Sequence, residues 1–270
     1  MKNYSKEQLK SKQEYDFDDL IQIMKILMSP DGCPWDRVQT HQSIRINAIE
    51  EAYEVVDAID QNDKHKMIEE LGDLLLQSIF HCMIAERDNE FGLKDVINTL
   101  CKKLVFRHQH VFDDAKAQDA AQALSTWNNA KAKEKHLKSI TQDMKELPKH
   151  FPELLRAQKV QKKAASVGFD FETIEQSIQK TDEEIAELKA EIQNGNIERA
   201  QKELGDCLFS LVNTARMLKA DAELCLKQTT DKFINRFDQI EKAVVKSGKP
   251  FEQYTLEQLD EIYNKAKEQE

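Results

Sequence analysis

The phrase EELGDLLLQ at residues 69–77 returns as KELGDCLFS at 202–210. Setting Asp73 on Asp206 fixes an offset of 133 residues, which also carries Glu50, Glu51 and Glu54 onto Glu183, Glu184 and Glu187. In both copies the last Glu of an EExxE motif stands 16 residues ahead of the ELGD Glu. The correspondence extends outward in both directions. PWD (34–36) answers GFD (168–170), and Lys66 and Arg199 each stand four residues before the ELGD Glu. KLVFRHQHVF (103–112) parallels KFINRFDQI (232–240), and WNNAK (127–131) parallels YNKAK (263–267). Shared spacings on this scale mark an internal duplication, so any fold proposed for one half must also serve the other.

Composition then narrows the fold. The 270 residues include 7 Gly and 5 Pro, and 33% of them are charged. That is far below the roughly 7% Gly and 5% Pro of average chains. Few turn-formers and many Glu, Lys, Ala, Leu and Gln predict an all-α protein of long helices and short loops. Each half suits a four- to five-helix unit. The helix with EExxE and the helix with ExxD are joined by IDQNDKHKM in one copy and EIQNGNIERA in the other, whose Asn, Asp and Gly favour a tight antiparallel connection. Residues 137–152 hold two of the five prolines. The expected division is a first helical domain over 1–140, a linker over 141–152 and a second helical domain over 153–270.

The same composition excludes some functions. A net charge of −10 repels nucleic-acid backbones, though not a small phosphorylated molecule bridged by metal ions. No apolar run approaches the ~18 residues of a membrane helix, and the first twenty residues lack the apolar core of a signal peptide, so a cytoplasmic location is expected. The five cysteines form no CxxC pair, and three lie in apolar helical patterns, which predicts reduced, buried thiols. GxxxxGK[ST], GxGxxG and GxSxG are all absent.

Acids supply the chemistry. Residues three or four apart share a helix face, so Glu51 with Glu54 and Glu70 with Asp73 form two carboxylate pairs. Glu184, Glu187, Glu203 and Asp206 repeat the arrangement. Packing each pair of helices gathers four acids, which repel one another by about 1–4 kcal/mol per pair unless cations lie among them. An all-oxygen donor set suits Mg²⁺, or Mn²⁺, rather than Zn²⁺. A single EExxE is usually a solvated helix face; two at identical spacing, each paired with ExxD, are better explained by metal binding.

The cations fit a polyphosphate. Lys232 and Arg236 lie one turn apart, as do Arg199 and Glu203, and such cations can hold the phosphate oxygens that metal ions leave free. Ordinary helix salt bridging would use the same spacings. Trp127 and Tyr263, at matching places, could stack on a base or serve as core aromatics. His108 and His110, two residues apart, splay on a helix and suit a helix end better than a metal site. His81 reads as a packed histidine in an apolar run.

These residues resemble a known family. GCPWDRVQTHQSI, EEAYEVVDAI, EELGDLLLQ, RHQHVF, RAQKVQKKAASVGFDF and KELGDCLFSLVNTAR look like the MazG nucleoside triphosphate pyrophosphohydrolases, in order and in both halves, over residues 17–268. The resemblance implies tandem four-helix-bundle-like domains completed by homodimerisation. It also implies Mg²⁺-dependent hydrolysis of NTPs or dNTPs to the monophosphate and pyrophosphate, by in-line attack of water on the α-phosphorus. On that basis Glu184, Glu187, Glu203 and Asp206 are metal ligands, with Glu51, Glu54, Glu70 and Asp73 at the equivalent places. Glu183 would orient the water or hold a second ion. Lys180, Arg199, Lys232, Arg236 and Tyr263 would line the nucleotide site, mirrored by Lys66, Lys103, Arg107 and Trp127. The family commonly has Trp at the place of Tyr263 and Pro at that of Gln109. Two other readings are a helical scaffold or regulatory dimer, and a pyrophosphatase selective for dUTP or dCTP. Because Asn47 stands where the second copy has Lys180, the second half is expected to perform most of the hydrolysis.

Overall fold

The computed structural model describes residues 5–113, 116–135 and 139–268. The chain divides into two compact units, Met1–Lys135 and His136–Glu270. Every regular element among the described residues is helical. The first unit has five long helices: α1 (Phe17–Met28), α2 (Asn47–Asp60), α3 (Lys64–Arg87), α4 (Leu93–Arg107) and α5 (Ala120–Glu134). The second repeats them as α6 (Glu153–Ala165), α7 (Ile174–Gln193), α8 (Ile197–Met217), α9 (Ala222–Ser247) and α10 (Leu256–Lys267). The stretch 141–152, expected as a connector, includes most of a short helix, Ile140–Lys145, whose Asp143 pairs with Lys163 of α6.

Local sequence accounts for the helix boundaries. Asp16 and Thr173 open α1 and α7 with capping boxes, satisfying backbone N–H groups that the first turn leaves without partners. Asp63 accepts from the backbone of His65 and Lys66, each at 3.0 Å, to start α3. The α2–α3 turn places Asn62 at φ 52°, and the α7–α8 turn places Gly195 at φ 72°. These residues hold the same place in the duplication. The left-handed backbone required there is tolerated best by Gly and Asn, so the one hairpin geometry survives with two different residues.

In each unit the dominant pairing is this antiparallel hairpin, α2 with α3 and α7 with α8, against which α1 or α6 also packs. The interiors differ. In the first unit Ile21 and Met24 of α1, Ile44, and Ile79, Phe80, Met83 and Ile84 of α3 form one buried apolar cluster. Each such side chain contributes about 1.5–3 kcal/mol by leaving water. In the second unit the buried groups include Ser177, Ser210 and Thr214, and the Ser177 and Thr214 hydroxyls meet at 2.9 Å. All five cysteines are free thiols; Cys82 and Cys207 are buried, Cys33 is half-buried, and Cys101 and Cys225 are exposed.

Candidate active site

The α7–α8 hairpin assembles the second acidic cluster. Glu184 and Glu187 lie one turn apart on α7, Glu203 faces them from α8, and an oxygen from each falls within 4.8 Å of the others. Glu184 is 9% exposed. Burial raises the Glu203 carboxyl above the ordinary range, and the charges of Glu187, Asp206 and Glu184 raise it further. Asp206 thus acts on the cluster one turn along α8 from Glu203. Lys180, one turn before Glu184, reaches its carboxylate at 2.7 Å and that of Glu183 at 3.5 Å. The Glu184 contact is the main reason the ammonium is held above its usual range.

The first unit builds a related but different triad. There Glu51, Glu70 and Asp73 bring their oxygens within 4.8 Å. Burial, then Asp73 and Glu54, raise Glu51. Burial, then a hydrogen bond shared with Glu54, raises Glu70, while Lys66 one turn earlier pulls it down. Gln77 Nε2 reaches Glu51 at 3.5 Å from inside the helix pair. Asn47 begins α2, so no ammonium stands at the place of Lys180.

The expected cations fall into two groups. Lys180 and Lys66 lie beside the acids, whereas Arg199 points outward and sits 3.8 Å from Glu191. Arg107, 8% exposed, bonds Glu134 at 2.6 Å and lies 5.1 Å over the Trp127 ring. Arg236 repeats this with Tyr263, 5.4 Å from its ring centroid and 3.5 Å from its hydroxyl. Lys232 is exposed one turn earlier on α9, and Lys103 lines a shallow hollow with Phe91 and Asp95. The Arg–aromatic partnership is therefore duplicated along with the acids. His108 ends α4, its Nδ1 lying 2.7 Å from Leu104 O, and packs edge-on against Trp127. His81 stacks on His41, with their Nδ1 atoms 2.7 Å apart.

Beside the second acidic cluster lies a cavity of about 590 Å³, bordered by Glu184, Asp206 and Lys180 at one end. Phe169, Phe171 and Phe209 supply apolar walls, and Gln161, Asn213 and Arg216 supply polar ones. None of these six residues stood out in the sequence as a candidate for the site. Comparing the two copies along α3 and α8 would have exposed two of them, because Asn213 and Arg216 interrupt a stripe that holds Phe80 and Met83 in the first copy. A larger hollow of about 840 Å³ in the first unit lies between the ends of α1, α3 and α4 and touches none of the clustered acids.

Comparison with known proteins agrees with this duplicated architecture. Residues 39–112 and 172–244 each match the MazG nucleotide pyrophosphohydrolase domain. The chain is 42% identical over 251 residues to the "Nucleoside triphosphate pyrophosphohydrolase/pyrophosphatase MazG" of Thermotoga maritima, covering 93% of this chain and 95% of that one. It is 38% identical over 256 residues to the "Nucleoside triphosphate pyrophosphohydrolase" of Escherichia coli K12, covering 94% and 97%. A Bacillus subtilis protein, YabN, is 43% identical over 257 residues, which span 52% of its length.

Proposed function

The chain belongs to the MazG nucleotide pyrophosphohydrolase family, and we propose that it hydrolyses nucleoside triphosphates to monophosphate and pyrophosphate at the α7–α8 cluster, with a divalent cation. The observation that carries this is the triad of Glu184, Glu187 and Glu203 within 4.8 Å, flanked by Lys180, with Glu184 bordering a cavity.

The donor set fits a hard cation. Three carboxylates with no sulfur or imidazole among them, one raised by burial and then by its neighbours' charge, match Mg²⁺ or Mn²⁺. Glu184, Glu187 and Glu203 would hold the ion, with Asp206 completing the acidic surround. When bound, the ion supplies Lewis acidity toward the phosphate oxygens. Lys180 is placed to exchange Glu184 for a phosphate oxygen, adding a charge-assisted hydrogen bond as negative charge shifts to the leaving pyrophosphate. Glu183, its side chain half exposed and 3.5 Å from Lys180, would orient the attacking water and accept its proton, or hold a second ion.

A homodimer accompanies this reading. Leu204, Leu208 and Leu211 of α8 and Phe233, Ile234 and Phe237 of α9 are exposed, an apolar surface of the kind a second copy would cover. Lys232, Arg236 and Tyr263 would then serve the nucleotide from the α9–α10 arm. No helix among the described residues is long and apolar enough to cross a membrane, in keeping with a cytoplasmic enzyme. For the first unit, the closed apolar interior favours a metal-binding scaffold with little turnover of its own.

The test is pyrophosphate release from a panel of NTPs and dNTPs, with Mg²⁺ and with EDTA. Release that stops on chelation is expected. Release unaffected by EDTA, or absent with every substrate, would overturn the assignment.

A further inference from the structure

The turn that closes the α7–α8 hairpin uses its side chains differently from its counterpart in the first copy. Asn196 stands at the N-cap of α8, where an Asn oxygen ordinarily accepts from the backbone of the first turn. It makes no such bond. Its Nδ2 instead donates to Glu191 Oε2 at 2.7 Å, and its backbone N–H donates to Glu191 O at 2.9 Å. At the matching place Asp63 caps α3 through the backbone of His65 and Lys66, and its own N–H reaches Ala58 O at 3.0 Å. The backbone turn is shared. Only the second copy gives up the cap to hold a carboxylate.

That carboxylate is placed against local preference. Glu191 lies in the last turn of α7, where the negative end of the helix dipole disfavours an anion, and its side chain is only 19% exposed. It stands one turn beyond Glu187 and two beyond Glu184, on the face that meets α8. Burial, and then the charges of Glu187, Asp206, Glu184 and Glu191, raise the Glu203 carboxyl, so Glu191 belongs to the field of the cluster.

The other oxygen of Glu191 faces Arg199, whose guanidinium lies 3.8 Å away. Arg199 precedes Glu203 by one turn of α8, a spacing at which the two could pair. The first copy takes that course. Lys66, at the place of Arg199, pulls the Glu70 carboxyl down against burial and Glu54, which raise it. Ala58 occupies the place of Glu191, so no carboxylate at that position draws Lys66 away.

We propose that Glu191 is a positioning residue that holds Arg199 beside the second cluster but off it, leaving the triad's charge for the metal ion and the guanidinium for the polyphosphate. The proposal rests on the pyrophosphohydrolase reading, in which Arg199 serves the nucleotide. The contact is long and the Arg199 side chain is 71% exposed, so the hold is weak. Weakness suits a hand-over, because phosphate oxygens offer the guanidinium shorter, paired bonds.

The experiment measures Mg²⁺ affinity by calorimetry, with the full chain and the metal alone. Every protein titrated carries Glu70→Gln, which removes a carboxylate of the first triad so that the titration reports the second. Glu191→Gln should weaken Mg²⁺ binding about two- to fivefold, the range of an exposed ion pair, as Arg199 moves onto Glu203. The new amide can still accept from Asn196, so a merely structural role would leave the affinity unmoved. With Arg199→Gln also present, Glu191→Gln should weaken binding by less than about 1.5-fold, because the two residues act as a coupled pair. Equal losses in the two backgrounds would mean that Glu191 acts through its charge alone, and would overturn the proposal. Steady-state pyrophosphate release from ATP at saturating Mg²⁺ tests the hand-over. Arg199→Gln should raise KM about tenfold through the lost phosphate contact, and an unchanged KM would likewise overturn the proposal. A wild-type protein that releases no pyrophosphate from any NTP would instead remove the underlying functional reading.

Discussion

Two helix hairpins of common ancestry, α2–α3 and α7–α8, have kept the same acids and diverged two to three turns further along. In the first, Phe80 and Met83 continue the apolar stripe of α3 into a closed core; in the second, Asn213 and Arg216 interrupt it. Lys180 beside Glu184 has Asn47 as its counterpart. The difference separates two capacities that the motifs alone merge. Clustered carboxylates are enough to attract a cation, whereas holding a nucleotide also requires space, a cation for phosphate and fixed polar groups for a base.

The comparison breaks most readily in the first unit's core. Phe80→Ala should destabilise the protein by about 3–5 kcal/mol, as truncation of a buried aromatic does. Asn213→Ala, which removes one hydrogen bond from a cavity wall, should cost only about 0.5–1.5 kcal/mol. Urea denaturation of the two variants measures both. Similar losses would mean that the two interiors are less different than their side chains indicate.

Activity should divide the other way. Glu187→Gln, which removes a charge without changing volume, should lower kcat/KM by about 100- to 1,000-fold, or about 3–4 kcal/mol. Glu54→Gln should change it by less than about threefold if the first unit does little hydrolysis. The two variants assayed side by side on ATP and a dNTP panel rank the units. A larger loss from Glu54→Gln would reverse the ranking.

A smaller effect sharpens the role of the flanking cation. Lys180→Asn, the first copy's residue, should raise KM for NTPs about tenfold by removing one charge-assisted contact. Asn47→Lys should give the first unit no matching gain, because Phe80 and Met83 fill the places that Asn213 and Arg216 hold beside the second cavity. Pyrophosphate release by Asn47→Lys in a Glu187→Gln background decides the point, and recovered turnover there would show that charge alone limits the first unit.

The smallest effect concerns pH. His81 of the first unit occupies the repeat position of Thr214. Burial, and then the nearby His41, hold its imidazole below the ordinary value of 6.5. The groups around the pair are His41 itself, 2.7 Å away, and Glu90, 4.0 Å from the far nitrogen of His41. A depressed histidine is neutral in the folded state, while the unfolded chain takes up its proton near pH 6.5. Its contribution to stability is therefore present above about 6.5 and lost as pH falls toward the folded value. The melting temperature of His81→Thr should depend less steeply on pH between about 7 and 5 than that of the wild-type protein. Parallel curves would show that the pair does not titrate in this range.

Much of this architecture is written in local patterns. EExxE with ELGD sixteen residues on, repeated at an offset of 133, requires two antiparallel helix pairs with acids on their facing sides, and two such triads are present. Asn62 and Gly195 mark the hairpin turns, and His108 falls at a helix end as its spacing from His110 implied. The cations were less legible. Arg107 and Arg236 each lie over an aromatic ring, while Lys180 contacts Glu184 of the triad directly. One-turn spacing places two side chains on a helix face but does not say which neighbour that face meets.

What the sequence determined by itself was the helical class, the duplication and the gathering of the acids, because helical periodicity and hairpin turns act over spans of a few to about twenty residues. Only the tertiary structure decided which copy has an interior open to a ligand. Gln161 and Phe209 are 48 residues apart, and Asp170 and Arg216 are 46 apart, so their pairing depends on how α6 and the loop before α7 settle against α8. That Gln161 Oε1 is buried with no hydrogen-bond partner is a property of that packing, since in the isolated helix the same oxygen would be bonded to water.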